Sequence, residues 1–560
     1  MLNALNGKRT LARVLAFMWL ALALPCIAQE SSDEVTQLYP VKGVVLDSVT
    51  HQPVARALVD SHQGAVLTDN DGNFELNLPE GMTQISVKRP GYGSRGQASN
   101  HAVRVGPNLP QLTFNLIPEA VITGQVTLST ADPADGIRVI AYRRRTLNGR
   151  QQWMTENSAR TNSEGIFRIT GLHPGDYLVY TTPSRDTDGP GARGVTAYGY
   201  PAAYYPGVPD ISSAGVLSLS AGQHAQADFI LTRQQFYPVT IIVTNRDIGP
   251  GMNLQVFDTS GHQIGIPVRF NAERGTAEAN LPNGSYFLEG RHRGESQLYG
   301  RLDFTVAGAP ISGLPLALVP LHPIPVSIRR AVTSSNTGNT GGVLLADGSP
   351  ANGPSGAGLN ISLIPVDEFF GHMGGVGGLR PTDGSTDGSS FEIENVAPGR
   401  YWVETSSFQG YVSSITSGST DLSREPLVVG AGASVAPIDV TLRDDSATIT
   451  AQLDDGLQGS QSPNSSAGEQ HEIYVYAIPL FPSSAPIRMS GGQATGEVTI
   501  AGLTPGSYRV AAFDSPQEID FHTPEGLAKY AGMGETATVD AGGSAHVQIN
   551  VMHTGDTEAQ

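Results

Sequence analysis

The stretch FRITGLHPGDYLVYT, residues 167–181, carries the pattern that decides the fold. Phe167 and Ile169 alternate with polar neighbours, as a half-buried strand requires, and Tyr177 and Val179 alternate again after a turn. Between them HPG reads as a type II turn, with Pro174 presetting one backbone angle and Gly175 supplying a positive one. Two such strands make a hairpin with one apolar face, and that face needs a second sheet to cover it.

The pattern recurs four more times. FEIENVAPGRYWVET (391–405) and VTIAGLTPGSYRVAA (498–512) are close copies, while AEANLPNGSYFLEG (277–290) and FELNLPEGMTQISV (74–87) are weaker ones. Their turn glycines, Gly81, Gly175, Gly284, Gly399 and Gly506, fall roughly a hundred residues apart, a period of tandem domains rather than of a solenoid. Four copies place tyrosine two residues after the glycine: Tyr177, Tyr286, Tyr401 and Tyr508, with Thr83 in the first. A tyrosine there buries its ring and keeps its hydroxyl hydrogen-bonded at the sandwich edge.

Other runs complete each unit. VKGVVLD (41–47), VITGQVTL (121–128), YPVTIIVT (237–244) and ATITAQL (447–453) read as opening strands. LTFNLI (112–117), ADFILT (227–232), LPLALV (314–319), IDVTLR (438–443) and VQINVM (547–552) read as closing strands. The expected fold is all-β: a tandem array of about five small antiparallel β-sandwiches of immunoglobulin-like size, at 36–118, 119–234, 235–320, 321–443 and 444–554. Gly/Ser-rich inserts at 334–358, 371–390 and 454–470 read as mobile loops, and 29–35 and 555–560 as flexible ends.

Residues 1–28 read as a signal peptide: Lys8, Arg9 and Arg13 precede the apolar run VLAFMWLALAL (14–24), and Ala28 suits cleavage. No other stretch approaches membrane length, so the mature chain is expected to be exported without a transmembrane segment, to the periplasm, the outer surface or the medium. Cys26 is the only cysteine, and Pro25 before it departs from the lipoprotein pattern. Loss of this segment excludes disulfides and thiolate metal sites. A formal charge of −18, with four lysines, argues against a nucleic-acid partner. The run Arg143-Arg144-Arg145 reads as a solvated strand end.

In the first unit, Gly43-x-Val45, PVARALV (53–59) and TDNDGNFEL (68–76) resemble the carboxypeptidase regulatory-like domain, with its Thr-Asp-x-x-Gly-x-Phe hairpin. The second unit is similar, through ITGQV (122–126) and TNSEGIFRITGLHPGDYLVY (161–180). The resemblance is partial near 386–403 and 495–511 and thin in the middle unit. It implies a prealbumin-like sandwich related to carbohydrate-binding-like folds. It also implies an accessory module of exported proteins, such as those of Gram-negative soil bacteria, and the family's name does not imply peptidase activity.

TDNDGNFEL raises a calcium loop as an alternative to a turn. Only Thr, Gly and Phe keep their spacing in TNSEGIFRI (161–169), and no bidentate carboxylate sits at EF-hand distance, so the turn is expected. HTPE (522–525) matches His-x-x-Glu, but no metallopeptidase domain accompanies it. No Gly-x-Ser-x-Gly elbow or phosphate loop occurs. No enzyme activity, cofactor or metal is expected. The leading expectation is a non-enzymatic envelope scaffold or adhesion module, with envelope proteins or polysaccharide as partners. The alternative is a carbohydrate-binding protein using aromatic loop residues: Tyr198, Tyr200, Tyr204 and Tyr205 in YGYPAAYYPG (198–207), with Trp153 and Trp402. The competing expectation is that the tyrosine loop packs over a sheet edge, and that Trp402, which faces away from its own core, packs on a neighbouring domain.

Overall fold

The computed structural model describes residues 37–93, 100–186, 197–244, 251–292, 297–331, 358–369, 378–382, 390–407, 410–432, 434–454, 472–493 and 496–552. The signal peptide, Cys26, both flexible ends and most of the Gly/Ser-rich inserts lie outside the described residues. Among the described residues nearly all the regular secondary structure is strand, with one short α-helix at Pro524–Lys529 and a 3-10 turn at Ile211–Ser213. Five hydrophobic cores form, drawn in turn from residues 41–116, 120–231, 239–318, 324–442 and 447–551.

The first four cores each lie between two sheets. In the fifth, the last strand, Ser544–Met552, pairs with both Ala447–Asp454 and Gly506–Phe513 and joins the two faces into one seven-stranded sheet. The sheets are mainly antiparallel, but in every sandwich the opening and closing strands run parallel, as Leu38–Asp47 does with Leu112–Pro118. A parallel pair needs a long crossover. Here the rest of the sandwich supplies it. In the fourth sandwich, whose opening strand the repeat does not mark, Ile324–Ala331 takes that place.

The motif TDNDGNFEL is a turn held by its own side chains. Asp69 Oδ1 accepts from the amides of Asp71 (2.9 Å) and Asn73 (2.8 Å), and Gly72 has φ +74°. In the second sandwich Asn162 Oδ1 accepts from Glu164 (3.1 Å) and Ile166 (2.8 Å), and Gly165 has φ +73°. An amide oxygen replaces the carboxylate without change of geometry. The buried Thr68 hydroxyl donates to the Val54 carbonyl (2.7 Å) and accepts from the Ala57 amide (2.8 Å). Thr161 does the same with Ala134 and Ile137. Threonine therefore pins the chain crossing above the turn, which explains its fixed spacing to the glycine.

The repeated hairpin differs in one respect. Each return strand begins at the turn glycine itself, and Gly81, Gly175, Gly284 and Gly506 have φ between +137° and +157°, far from the value of about +80° at a type II turn. Close approach adds to the need for glycine: a Cβ at Gly506 would lie 2.4 Å from the Phe481 ring. The tyrosines two residues on are buried, and their hydroxyls donate to the carbonyl four residues back. Tyr177 reaches His173 (2.6 Å), Tyr286 Pro282 (3.2 Å), Tyr401 Ala397 (2.8 Å) and Tyr508 Thr504 (2.6 Å). Part of the 371–390 insert is also ordered, against expectation. Leu379–Pro381 pairs with Ser390–Ile393, because Leu379 gives this Gly-rich stretch an apolar side chain to bury in the fourth core.

Candidate functional site

The tyrosine-rich segment joins the second sandwich to the third. Its strand Ala197–Tyr200 pairs with Gln234–Val243, the opening strand of the third sandwich. Tyr198 is half-buried beneath the Arg233 guanidinium, 4.2 Å from its ring centre, and Arg233 is held by Asp186 at 2.6 Å. Tyr200 and Tyr205 are half-buried and pack against the second core, with the Tyr205 ring 6.0 Å from Phe229. Tyr204 is 1% exposed.

Tyr204 belongs to a buried cluster drawn from three sandwiches. Its hydroxyl lies 2.8 Å from His262 Nδ1 and 3.2 Å from Asp258 Oδ2, both in the third sandwich. His262 Nε2 is 2.7 Å from the Tyr142 hydroxyl of the second. Phe369 of the fourth stacks on the imidazole at 4.5 Å, and the Tyr180 ring meets it edge-on at 4.4 Å. Burial lowers the His262 pKa to about 4, so the ring is neutral at pH 7 and one nitrogen accepts while the other donates. Burial likewise raises Tyr142 to about 12 and Tyr204 further. These are satisfied structural groups rather than poised acids or bases.

A second joint is built by the long hairpin of Arg138–Leu147 and Arg150–Arg160. Its outer strand docks on the fourth sandwich: the Trp153 amide donates to the Glu368 carbonyl (2.7 Å), and Gln152 Nε2 reaches the carbonyls of Pro365 and Asp367. At its tip the Arg150 guanidinium lies 3.5 Å over the Trp402 ring, and Gly149 packs on Phe521 and His522 of the fifth sandwich. Arg145 Nε donates to Glu518 Oε1 (3.2 Å) and the Thr146 amide to Oε2 (3.2 Å). Glu404, beside Trp402, is half-buried at this contact, and desolvation raises its pKa to about 8 against the opposing pull of Arg150. The arginine run is thus not a solvated strand end. Arg143 is buried and donates to the Pro174 carbonyl, Arg145 pairs with Glu518, and only Arg144 is exposed. Strand alternation turns its first and third members toward different partners from the second.

These contacts cover much of the proposed aromatic platform. Trp153, expected in a polar and open stretch, is buried at 7% exposure. Trp402 points away from its own core, as its alternation implied, but onto Arg150. Tyr204 and Trp153 offer no free ring face to a sugar. Elsewhere, an open cleft of about 560 Å³ in the first sandwich is lined by Lys42, Asp69, Asn73, Glu75, Leu109 and Gln111, among others. Among the described residues no group of His, Cys, Asp and Glu could hold a metal ion.

Compared by sequence, the chain matches no protein-family model and no curated protein. The resemblance to carboxypeptidase regulatory-like domains therefore rests on its quoted residues alone. Solved structures give partial overlaps. The Bacillus anthracis TIE protein is 14% identical over 51% of each chain, with a TM-score of 0.16. A streptococcal ancillary pilin is 11% identical, covering 50% of this chain and all of its own, with a TM-score of 0.18. The Streptococcus agalactiae minor pilin GBS52 is 13% identical, covering 35% of this chain and 95% of its own, with a TM-score of 0.19. Overlaps this loose carry no functional argument. Among the described residues no helix is long and apolar enough to cross a membrane.

His262, Glu404 and Glu518 escaped the sequence reading. His262 and Glu518 lie outside the strands and Glu404 on an outward position of its strand, and the partners that give them their roles lie in other sandwiches.

Proposed function

We propose that this chain is a non-enzymatic, exported array of β-sandwiches that serves the cell envelope as a scaffold or adhesion module. The observation that carries this reading is where the chemically versatile side chains lie. The buried His262, its three tyrosines, both tryptophans beyond residue 28, Arg143 and Arg145 all lie at joints between sandwiches. A rigid multi-unit spacer needs such joints, whereas a catalytic cleft needs the same groups open to substrate.

The second reading is carbohydrate binding, and the observation favouring it is the cleft of the first sandwich. Its volume of about 560 Å³ is within the range of small-ligand sites, and Lys42, Asp69, Asn73, Glu75 and Gln111 supply donors and acceptors. The test is titration of the chain from Gln29 onward with purified polysaccharides and with isolated envelopes from the producing cells, alongside ester, peptide and glycoside substrates. Saturable envelope binding with no turnover supports the scaffold. Saturable polysaccharide binding lost on Asn73→Ala with Gln111→Ala moves the reading to the second. Turnover of any substrate overturns both.

A further inference from the structure

The joints are not equivalent. The second and third sandwiches share a sheet, through the pairing of Ala197–Tyr200 with Gln234–Val243, so they form one body. The fourth and fifth form another: the Thr405 amide donates to the Ser484 carbonyl (2.8 Å), their hydroxyls meet at 2.9 Å, and Arg488 reaches the Ser407 carbonyl (3.3 Å). The chain passes from one body to the other only through the short connector Leu321-His322-Pro323, between the strands Val319–Pro320 and Ile324–Ala331. Away from that connector, among the described residues, the bodies meet at the long hairpin of the second sandwich, at Phe369, which leaves the fourth sandwich to stack on His262, and where Arg291 and Glu289 of the third sandwich lie near Tyr401.

We propose that the hairpin 138–160 is a releasable clasp. Docked, it closes the second-and-third body onto the fourth-and-fifth body; undocked, it lets them swing apart about residues 321–323.

Three observations support this. The hairpin's contacts span up to 373 positions in sequence, so they constrain the whole array. Beyond the small apolar cluster that Trp153 and Phe369 share, the hairpin is held by polar contacts: one guanidinium stacked on an indole, an arginine–carboxylate pair and a few hydrogen bonds to backbone carbonyls. Arg150 Nε, Gln152 Oε1 and Glu404 Oε1 are also buried there without a protein partner, which makes this seam weaker than the fully apolar cores beside it. Release leaves the main cores of the fourth and fifth sandwiches intact, since no residue of either belongs to the hairpin, and parts only Phe369 from the cluster around Trp153 and Tyr142.

The protein carries its own reporters. Beyond residue 28 the two tryptophans, Trp153 and Trp402, both sit at the clasp. Small-angle scattering, tryptophan emission and amide exchange on the chain from Gln29 onward form the test. Arg145→Glu is expected to enlarge the radius of gyration and red-shift the emission. It should also speed exchange of the Trp153 amide at least tenfold while the Thr405 amide stays protected. Arg145→Glu with Glu518→Arg should restore all three. Arg150→Ala serves as an independent opening variant. The proposal is overturned if the unmodified chain already scatters as an extended array with an unprotected Trp153 amide. It is equally overturned if both opening variants leave the three readouts unchanged, or if Thr405 and Trp153 lose protection together.

Discussion

His262 of the third sandwich and Tyr142 of the second meet at 2.7 Å, ring nitrogen to hydroxyl, in a pocket from which water is excluded. The same ring holds Tyr204 on its other nitrogen. One side chain thus ties the third sandwich to the second through two buried hydroxyls. His262→Ala removes the ring and takes one partner from each hydroxyl, leaving Tyr204 its 3.2 Å bond to Asp258, and should destabilise the second-and-third body by about 2–4 kcal/mol in chemical denaturation.

The protonation of His262 sets an acid limit. Its pKa falls from 6.5 unfolded to about 4 folded, so between those values the unfolded state binds more protons. The contribution of this joint is complete above pH 6.5 and is lost as the pH falls through 4. Denaturation midpoints measured from pH 7 to pH 4 should decline, and His262→Gln should flatten the decline.

Glu404 sets the opposite limit. Its pKa is raised to about 8 when the clasp covers it, facing Arg150 and Asn148 of the hairpin, with Asp520 and His522 of the fifth sandwich near that arginine. A raised folded pKa gives stability that is complete below the unfolded value, near 4.5, and lost as the pH rises through 8. Tryptophan emission should therefore red-shift progressively between pH 5 and pH 8, and Glu404→Gln should abolish that shift.

The first sandwich tests the turn motif. Thr68→Ala removes a buried hydroxyl that both donates and accepts, and should cost about 1–3 kcal/mol. Asp69→Asn should leave stability within about 0.5 kcal/mol, because Asn162 performs the same task in the second sandwich. Calorimetry with and without calcium should give the same melting temperature for both proteins; a calcium-dependent rise in the native chain alone would return the motif to metal binding.

Tyr508→Phe deletes only the 2.6 Å bond to the Thr504 carbonyl, since the ring stays buried. The expected loss is about 0.5–1.5 kcal/mol in the fifth sandwich, read from exchange of its core amides.

Local chemistry made much of the fold legible. Phe167, Gly175 and Tyr177 mark a hairpin because alternation, turn and edge tyrosine are requirements a strand pair meets within fifteen residues. Thr68, Gly72 and Phe74 could be read as a turn because a second copy showed which positions were free to vary. The parallel pairing of opening and closing strands was harder, since strand direction depends on how the intervening chain returns. The glycine geometry was misread for a related reason: the HPG triplet names a turn, but only the packed return strand fixes φ.

The candidate site divides along the same line. The sequence by itself determined that this chain builds repeated, single-faced β hairpins, and hence an all-β array, because period-two burial and turn chemistry are local. It also determined that Trp402 faces away from its own core. Only the tertiary structure decided that Arg150 covers it, that Trp153 is buried, and that Tyr204 and Tyr142 share one histidine. Those partners lie as much as 373 residues apart, as Arg145 and Glu518 do. No local pattern encodes which of two half-buried surfaces will meet, because that choice depends on the sum of shape and charge across the whole array.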